Sequence, residues 1–223
     1  YYVRGTFTKY NLDFTTDVED MLDHGFPAVS MEPVVGEDTA EYSIKEEDLP
    51  RVKAEYDRLA QLFIKREEEG RPFFFFHFNM DLWKGPCLPK RLRGCGAGHE
   101  YLAVVPNGDI YPCHQFVGRE GYVLGNVYEG LKNMKMMHDF RANHVFTKPE
   151  CVDCWAKFFC SGGCHANNEA FAGDIHKPYH ITCEIQKKRV ECAMMIQAYN
   201  QLKKPKVMAQ PGSFEALREA KNK

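Results

Sequence analysis

The run CVDCWAKFFCSGGCHANN, which begins at Cys151, places Cys151, Cys154, Cys160 and Cys164 within fourteen residues. Two thiolates separated by two residues can point at one metal centre, and zinc and iron–sulfur sites both use that unit. Taken alone, Cys151 and Cys154 would favour zinc. Cys87, Cys95, Cys113, Cys183 and Cys192 flank the run and bring the total to nine cysteines, more than one tetrahedral ion can use. Two four-thiolate sites would leave one thiol over. Gly162 and Gly163 let the backbone approach closely and aim N–H groups at sulfur, while Trp155, Phe158 and Phe159 can exclude water. Both effects tune a redox centre and give a structural zinc less, so the residues favour iron–sulfur ligation.

The elements that must position these thiols fall into two kinds. Residues 1–9 read as a strand, Thr16 with Glu19 as a capping box before a short helix ending at Gly25, and FPAVSMEPVVG as a second strand. Leu49, Val52, Tyr56, Leu59 and Phe63 then recur at helical spacing, with Asp48 as cap, Pro50 in the first turn and Gly70 at the stop. RPFFFFHFNM reads as a buried strand that closes a second strand–helix–strand step. This order predicts an α/β unit with a parallel sheet whose strand ends carry a site, and Arg4 and Glu32 lie in those strands. Near Gly85 the periodic segments give way to glycine, cysteine and short pieces, which places a boundary close to Trp83. Asn107-Gly108 between apolar runs predicts a β-hairpin, and helices are expected around 131–145, 167–171 and 183–202. The expected division is 1–84, 85–202 and a tail over 203–223.

Composition excludes some partners. A chain of 223 residues with 44% hydrophobic and 27% charged residues can bury a sizeable core. A formal net charge of −2, with basic residues scattered except for Lys203, Lys204 and Lys206, gives no footprint for nucleic acid or a membrane surface. No apolar run approaches the roughly 20 residues of a membrane span, and the first residues lack the order of a signal peptide. A cytoplasmic protein is expected, in which nine cysteines argue against a disulfide framework. The chain opens without Met, already inside a strand pattern, so it is expected to be a piece of something longer.

The order Cys95-x12-Gly108-x4-Cys113, then Cys151-x2-Cys154-x5-Cys160-x3-Cys164, then Cys183, resembles the seven-cysteine signature of the SPASM domain of radical S-adenosylmethionine enzymes. The wording GCGAGHEYLAVVPNGDIYPCHQFVG and CVDCWAKFFCSGGCHANN looks like the maturases of SCIFF peptides, which form thioether cross-links of the sactipeptide and ranthipeptide kind. Upstream, VRGTFTKYN looks like a late strand of the radical enzyme's partial (β/α)6 barrel. The resemblance implies the C-terminal part of that barrel followed by an α+β SPASM domain with a β-hairpin. It implies that Cys151, Cys154, Cys160 and Cys183 hold an outer auxiliary [4Fe–4S] cluster and that Cys95, Cys113 and Cys164 hold an inner one. The inner cluster's fourth ligand is either Cys87 or an iron left open for a substrate thiolate, and Cys192 is a spare buried thiol. No CxxxCxxC motif for the catalytic cluster occurs in the chain, so that cluster is expected upstream.

The same resemblance implies a reaction in which S-adenosylmethionine yields a 5′-deoxyadenosyl radical that takes hydrogen from a cysteine-rich precursor peptide. A peptide sulfur then bonds to that carbon, and one electron leaves through an iron–sulfur centre; ferredoxin or flavodoxin is the expected reductant. Arg4 resembles an arginine near the S-adenosylmethionine carboxylate, and Val34 and Val35 could line the adenine; a surface charge and two core valines read equally well. Glu32 is a barrel partner or a capping acceptor. Members that oxidise a sulfatase residue carry an acid after the cysteine matching Cys113; His114 stands here, which favours thioether chemistry. His77, His99 and His165 read as packed residues. An iron–sulfur electron-transfer module and a zinc-stapled interaction domain are the other readings.

Overall fold

The computed structural model describes residues 2–37, 39–80, 82, 85 and 87–203. The boundary expected at Trp83 and the tail beyond Lys203 lie outside the described residues. Strand β1 (Val3–Phe7) leads through helix α1 (Phe14–Asp23) to β2 (Ala28–Pro33), and β2 leads through α2 (Leu49–Glu68) to β3 (Phe74–Phe75). The three strands form one parallel sheet in the order β1-β2-β3, with Val3 opposite Val29 and Ala28 opposite Phe74. Parallel neighbours need a crossover, which both helices supply.

Two local expectations change. Helix α1 starts at Phe14, two residues before the expected cap, and its N-cap Asp13 makes no side-chain capping bond. Thr16 and Glu19 instead share the Arg58 guanidinium of α2, through Thr16 Oγ1 at 3.3 Å and Glu19 Oε2 at 3.1 Å. Tertiary pairing has taken the groups that a capping box would use. The strand expected over 71–80 lasts two residues and then tightens into a 3₁₀ turn, Phe76–Phe78. Phe75 and Phe78 enter the core while Phe74 and Phe76 stay 39% and 48% exposed, so the phenylalanine run is buried on one side only.

Phe7, Phe14 and Tyr56 make the centre of the first core, with ring centroids 4.4 Å apart between Phe7 and Phe14 and 4.9 Å between Phe14 and Tyr56. A second core gathers Ala97, Tyr111, Cys113, Phe116, Phe140, Ala166 and Ile175. Around it lie the antiparallel strands β4 (Ala103–Val104), β5 (Asp109–Tyr111), β6 (Gly125–Asn126) and β7 (Gly130–Leu131). The expected hairpin joins β4 and β5, with Gly108 at φ 89° and Asn107 Oδ1 accepting from Asp109 N at 3.0 Å. Helices α3 (Leu88–Arg91), α4 (Met134–Ala142), α5 (Pro149–Val152), α6 (Lys157–Cys160) and α7 (His165–Ala172) complete this half. The last helix, α8 (His180–Lys203), packs along α2 and sends Ile181, Ile185, Cys192 and Ile196 into the first core. It thereby ties the cysteine-bearing half to the parallel sheet. Among the described residues no helix is long and apolar enough to cross a membrane.

Candidate metal centre

Cys151 of α5, Cys154 of the following turn, Cys160 at the end of α6 and Cys183 of α8 line one cavity of about 550 Å³. Trp155 borders it as well but remains 55% exposed, so the expected aromatic shield is partial. Burial pushes the Cys151 thiol up to about 11, with Cys160 and Cys154 adding to it while Lys148 opposes. Burial likewise pushes Cys183 up to about 12, reinforced by Cys160, Cys151 and Cys154. Four thiols that repel one another's ionised forms across a shared cavity need a cation to become thiolates together.

The backbone after Cys160 is built for such an anion. Ser161, Gly162 and Gly163 take φ of 64°, 83° and 79°, three consecutive left-handed residues of which only the glycines adopt that region without steric cost. The turn brings the N–H groups of Gly163 and Gly162 to the Cys160 sulfur, where they favour its ionised form against the effect of burial.

A second group is formed by Cys95, Cys113 and Cys164. Burial raises Cys113, and the charges of Cys164 and Cys95 raise it further. Cys164 faces open space, yet protein packed round its sulfur raises it, as does Cys95. Cys164 is the N-cap residue of α7, and the Asn167 and Ala166 N–H groups of that helix point at its sulfur. Cys113 uses the N–H groups of Gln115 and Phe116 in the same way. Among the described residues no three His, Cys, Asp or Glu side chains converge tightly enough to hold a single metal ion. The outer four thiols line a shared cavity instead, and seven thiols in two groups, three of them with N–H groups at sulfur, suit polynuclear iron–sulfur centres. Cys87 is the exposed N-cap residue of α3, which packs on α6. Cys192 lies apart, in the first core, with Sγ 3.5 Å from Tyr56 O.

Between the two halves lies a cavity of about 240 Å³ lined by Arg4, Glu32, Val35, Cys160, Cys164, Asn167 and Arg189, among others. Arg4 and Val35 therefore face the thiols. Val34 is half-buried and is held by its N–H to Phe7 O at 2.9 Å. Glu32 is neither a cap nor idle: its carboxylate takes His77 Nε2 at 2.6 Å, Ser30 Oγ at 3.1 Å and Arg189 at 3.4 Å. Burial opposes ionisation of Glu32, but the His77 hydrogen bond and the Arg189 charge bring it down to about 2. Burial and Arg189 hold His77 down at about 4, so neutral His77 donates from Nε2 to the carboxylate.

His165 is buried against Asn143, His99 lies against Ala97 O at 3.2 Å, and His114 is exposed beside the Tyr101 hydroxyl. Three residues escaped sequence reasoning. Arg189 sits inside the apolar stripe Ile185–Cys192–Ile196 of α8, a detectable anomaly; its Nε also binds the Tyr56 hydroxyl at 2.8 Å. Asn168 bridges Gly162 O and Ile175 O, and Lys148 is buried beside the thiols; neither carries a sequence signal.

Residues 95–155 match the SPASM family model, described as an iron-sulfur cluster-binding domain. No curated protein matches the chain. Among solved structures, native anSMEcpe with bound AdoMet aligns at TM-score 0.62 and 16% identity over 91% of this chain and 57% of that one. A hexahistidine-tagged form of anSMEcpe with bound AdoMet aligns at TM-score 0.63 and 16% identity, over 93% of this chain and 56% of that one. Native anSMEcpe with bound AdoMet and Kp18Cys peptide aligns at 0.58 and 17% identity, over 90% and 57%. The chain thus spans under two thirds of these neighbours. It shares their mixed α/β fold, and within that fold residues 95–155 are similar to an iron–sulfur cluster-binding domain.

Proposed function

We propose that the chain is the C-terminal part of a radical S-adenosylmethionine peptide maturase of the thioether-forming, SCIFF-associated kind. Residues 1–84 supply the end of the partial barrel and residues 85–202 the domain that seats two auxiliary [4Fe–4S] clusters. The observation that carries this reading is the partition of the thiols: Cys151, Cys154, Cys160 and Cys183 share one cavity, while Cys95, Cys113 and Cys164 influence one another separately. That partition follows the family signature although the residues of each set come from distant parts of the chain. All nine cysteines are free thiols, the state a reducing cytoplasm maintains.

When bound, the inner cluster supplies a one-electron acceptor and soft iron for a substrate thiolate. Cys164 and Arg4 line the cavity between the halves, which fits a peptide held between the S-adenosylmethionine side and the inner thiols. Arg4 offers a bidentate donor for a carboxylate, Val34 and Val35 an apolar flank for the adenine, and the inner set's fourth position goes either to Cys87 or to the substrate thiolate. Two neighbouring structures hold a peptide beside AdoMet, which supports a peptide substrate. Ferredoxin or flavodoxin is the reductant.

The test is anaerobic incubation of the complete reading frame with S-adenosylmethionine, a low-potential reductant and a cysteine-rich peptide. Each cross-link should remove one C–H and one S–H hydrogen from the peptide and yield 5′-deoxyadenosine. Unchanged peptide mass with normal iron content would sink the maturase reading in favour of an electron-transfer module; bound zinc without iron would favour an interaction domain.

A further inference from the structure

Lys148 is 1% exposed, and among the described residues no carboxylate forms an ion pair with it. Its Nζ donates to Gly162 O at 2.8 Å, inside the left-handed turn whose N–H groups face the Cys160 sulfur. A Cβ at Gly162 would stand 3.2 Å from that Nζ, so the glycine leaves room for the ammonium. Burial lowers the Lys148 pKa, and the ionised forms of Cys151, Cys160 and Cys183 from the outer set and Cys164 from the inner one oppose that and favour its charged form. A buried cation without an acid is costly unless something anionic compensates it, and here the candidates are thiols of both proposed clusters.

We propose that Lys148 is a fixed positive charge that raises the reduction potential of the outer cluster. The inference rests on the cluster assignment above. A four-thiolate [4Fe–4S] centre becomes more negative by one charge when it accepts an electron, and a nearby ammonium in a poorly screened interior favours that reduced form. Gly162 O orients the ammonium, and Asn168 Nδ2 holds the same carbonyl at 3.3 Å, so the charge has a defined place.

The test is a potentiometric titration of the reconstituted chain followed by low-temperature EPR of the reduced clusters, with iron counted in every sample. Lys148→Met should keep the iron and shift the outer cluster's reduction equilibrium at least tenfold toward the oxidised form, ~59 mV for one electron. Lys148→Arg should restore most of that shift. An unmoved potential in an iron-replete Lys148→Met protein overturns the proposal and leaves the cluster assignment standing. Should the methionine variant lose iron, Lys148→Gln is titrated in its place with the same two outcomes. Iron lost in neutral variants but kept in Lys148→Arg supports a required charge, whereas iron lost in the arginine variant too means a packing role. Wild-type chain that takes up no iron overturns the cluster assignment itself.

Discussion

Cys183 and Cys192 share helix α8 and have similarly raised thiols, yet their surroundings assign them different work. Cys183 faces three other thiols across a cavity, whereas Cys192 faces Tyr56 O and the apolar core. Cys183→Ala should remove about half of the bound iron, since it takes one ligand from one of two proposed clusters. Cys192→Ala should leave the iron unchanged and cost about 1 kcal/mol of stability, as for other small core deletions. Iron analysis with thermal melts checks both. At Glu32 and His77 the expected effect is on pH dependence. Both folded values, about 2 and about 4, lie below the ordinary 4.5 and 6.5. Their stabilising effect is therefore present above the unfolded values and lost as pH falls, first through His77 between 6.5 and 4, then through Glu32 between 4.5 and 2. Denaturant unfolding at about pH 5 should give about 2 kcal/mol less stability than at about pH 7, and His77→Phe should flatten that slope.

At the scale of elements, the strands, crossover helices and hairpin could be read from periodicity and turn residues because each is fixed by its own sequence. Where the reading failed, a distant group had intervened. Arg58 of α2 took Thr16 and Glu19, and the exposed side of Phe74 and Phe76 left β3 with one buried face. The thiols were legible by type and spacing, but the Arg189 and Lys148 partners were not, since each meets residues far along the chain or beyond a turn. Gly98 shows how an element is placed for the site. Its N–H is shared between Tyr101 O at 3.0 Å and Pro112 O at 2.9 Å, which ties the Cys95 loop to the residue before Cys113. It has φ of 79°, and an added Cβ would stand 2.6 Å from Phe140 Cγ in the core. Gly98→Ala should cost about 2–4 kcal/mol from left-handed strain and overpacking together, and should weaken iron retention by the inner set before the outer. An alanine variant with unchanged melting and iron content would show that the loop does not depend on this contact.

Over the whole molecule, α8 is the member that joins a parallel sheet to a cysteine-rich half. It carries Cys183 toward the cavity and Arg189 toward Glu32, so a proposed ligand and the sheet's buried charge network share one helix. Native anSMEcpe with bound AdoMet and Kp18Cys peptide spans more than this chain does, and the part proposed for the chain itself is the seating of clusters. That claim is tested most directly by counting iron and acid-labile sulfide in the anaerobically reconstituted chain. Two cubane clusters predict about eight of each per chain, with a [4Fe–4S] signal on reduction. A colourless protein holding about two zinc ions and no sulfide would contradict the account.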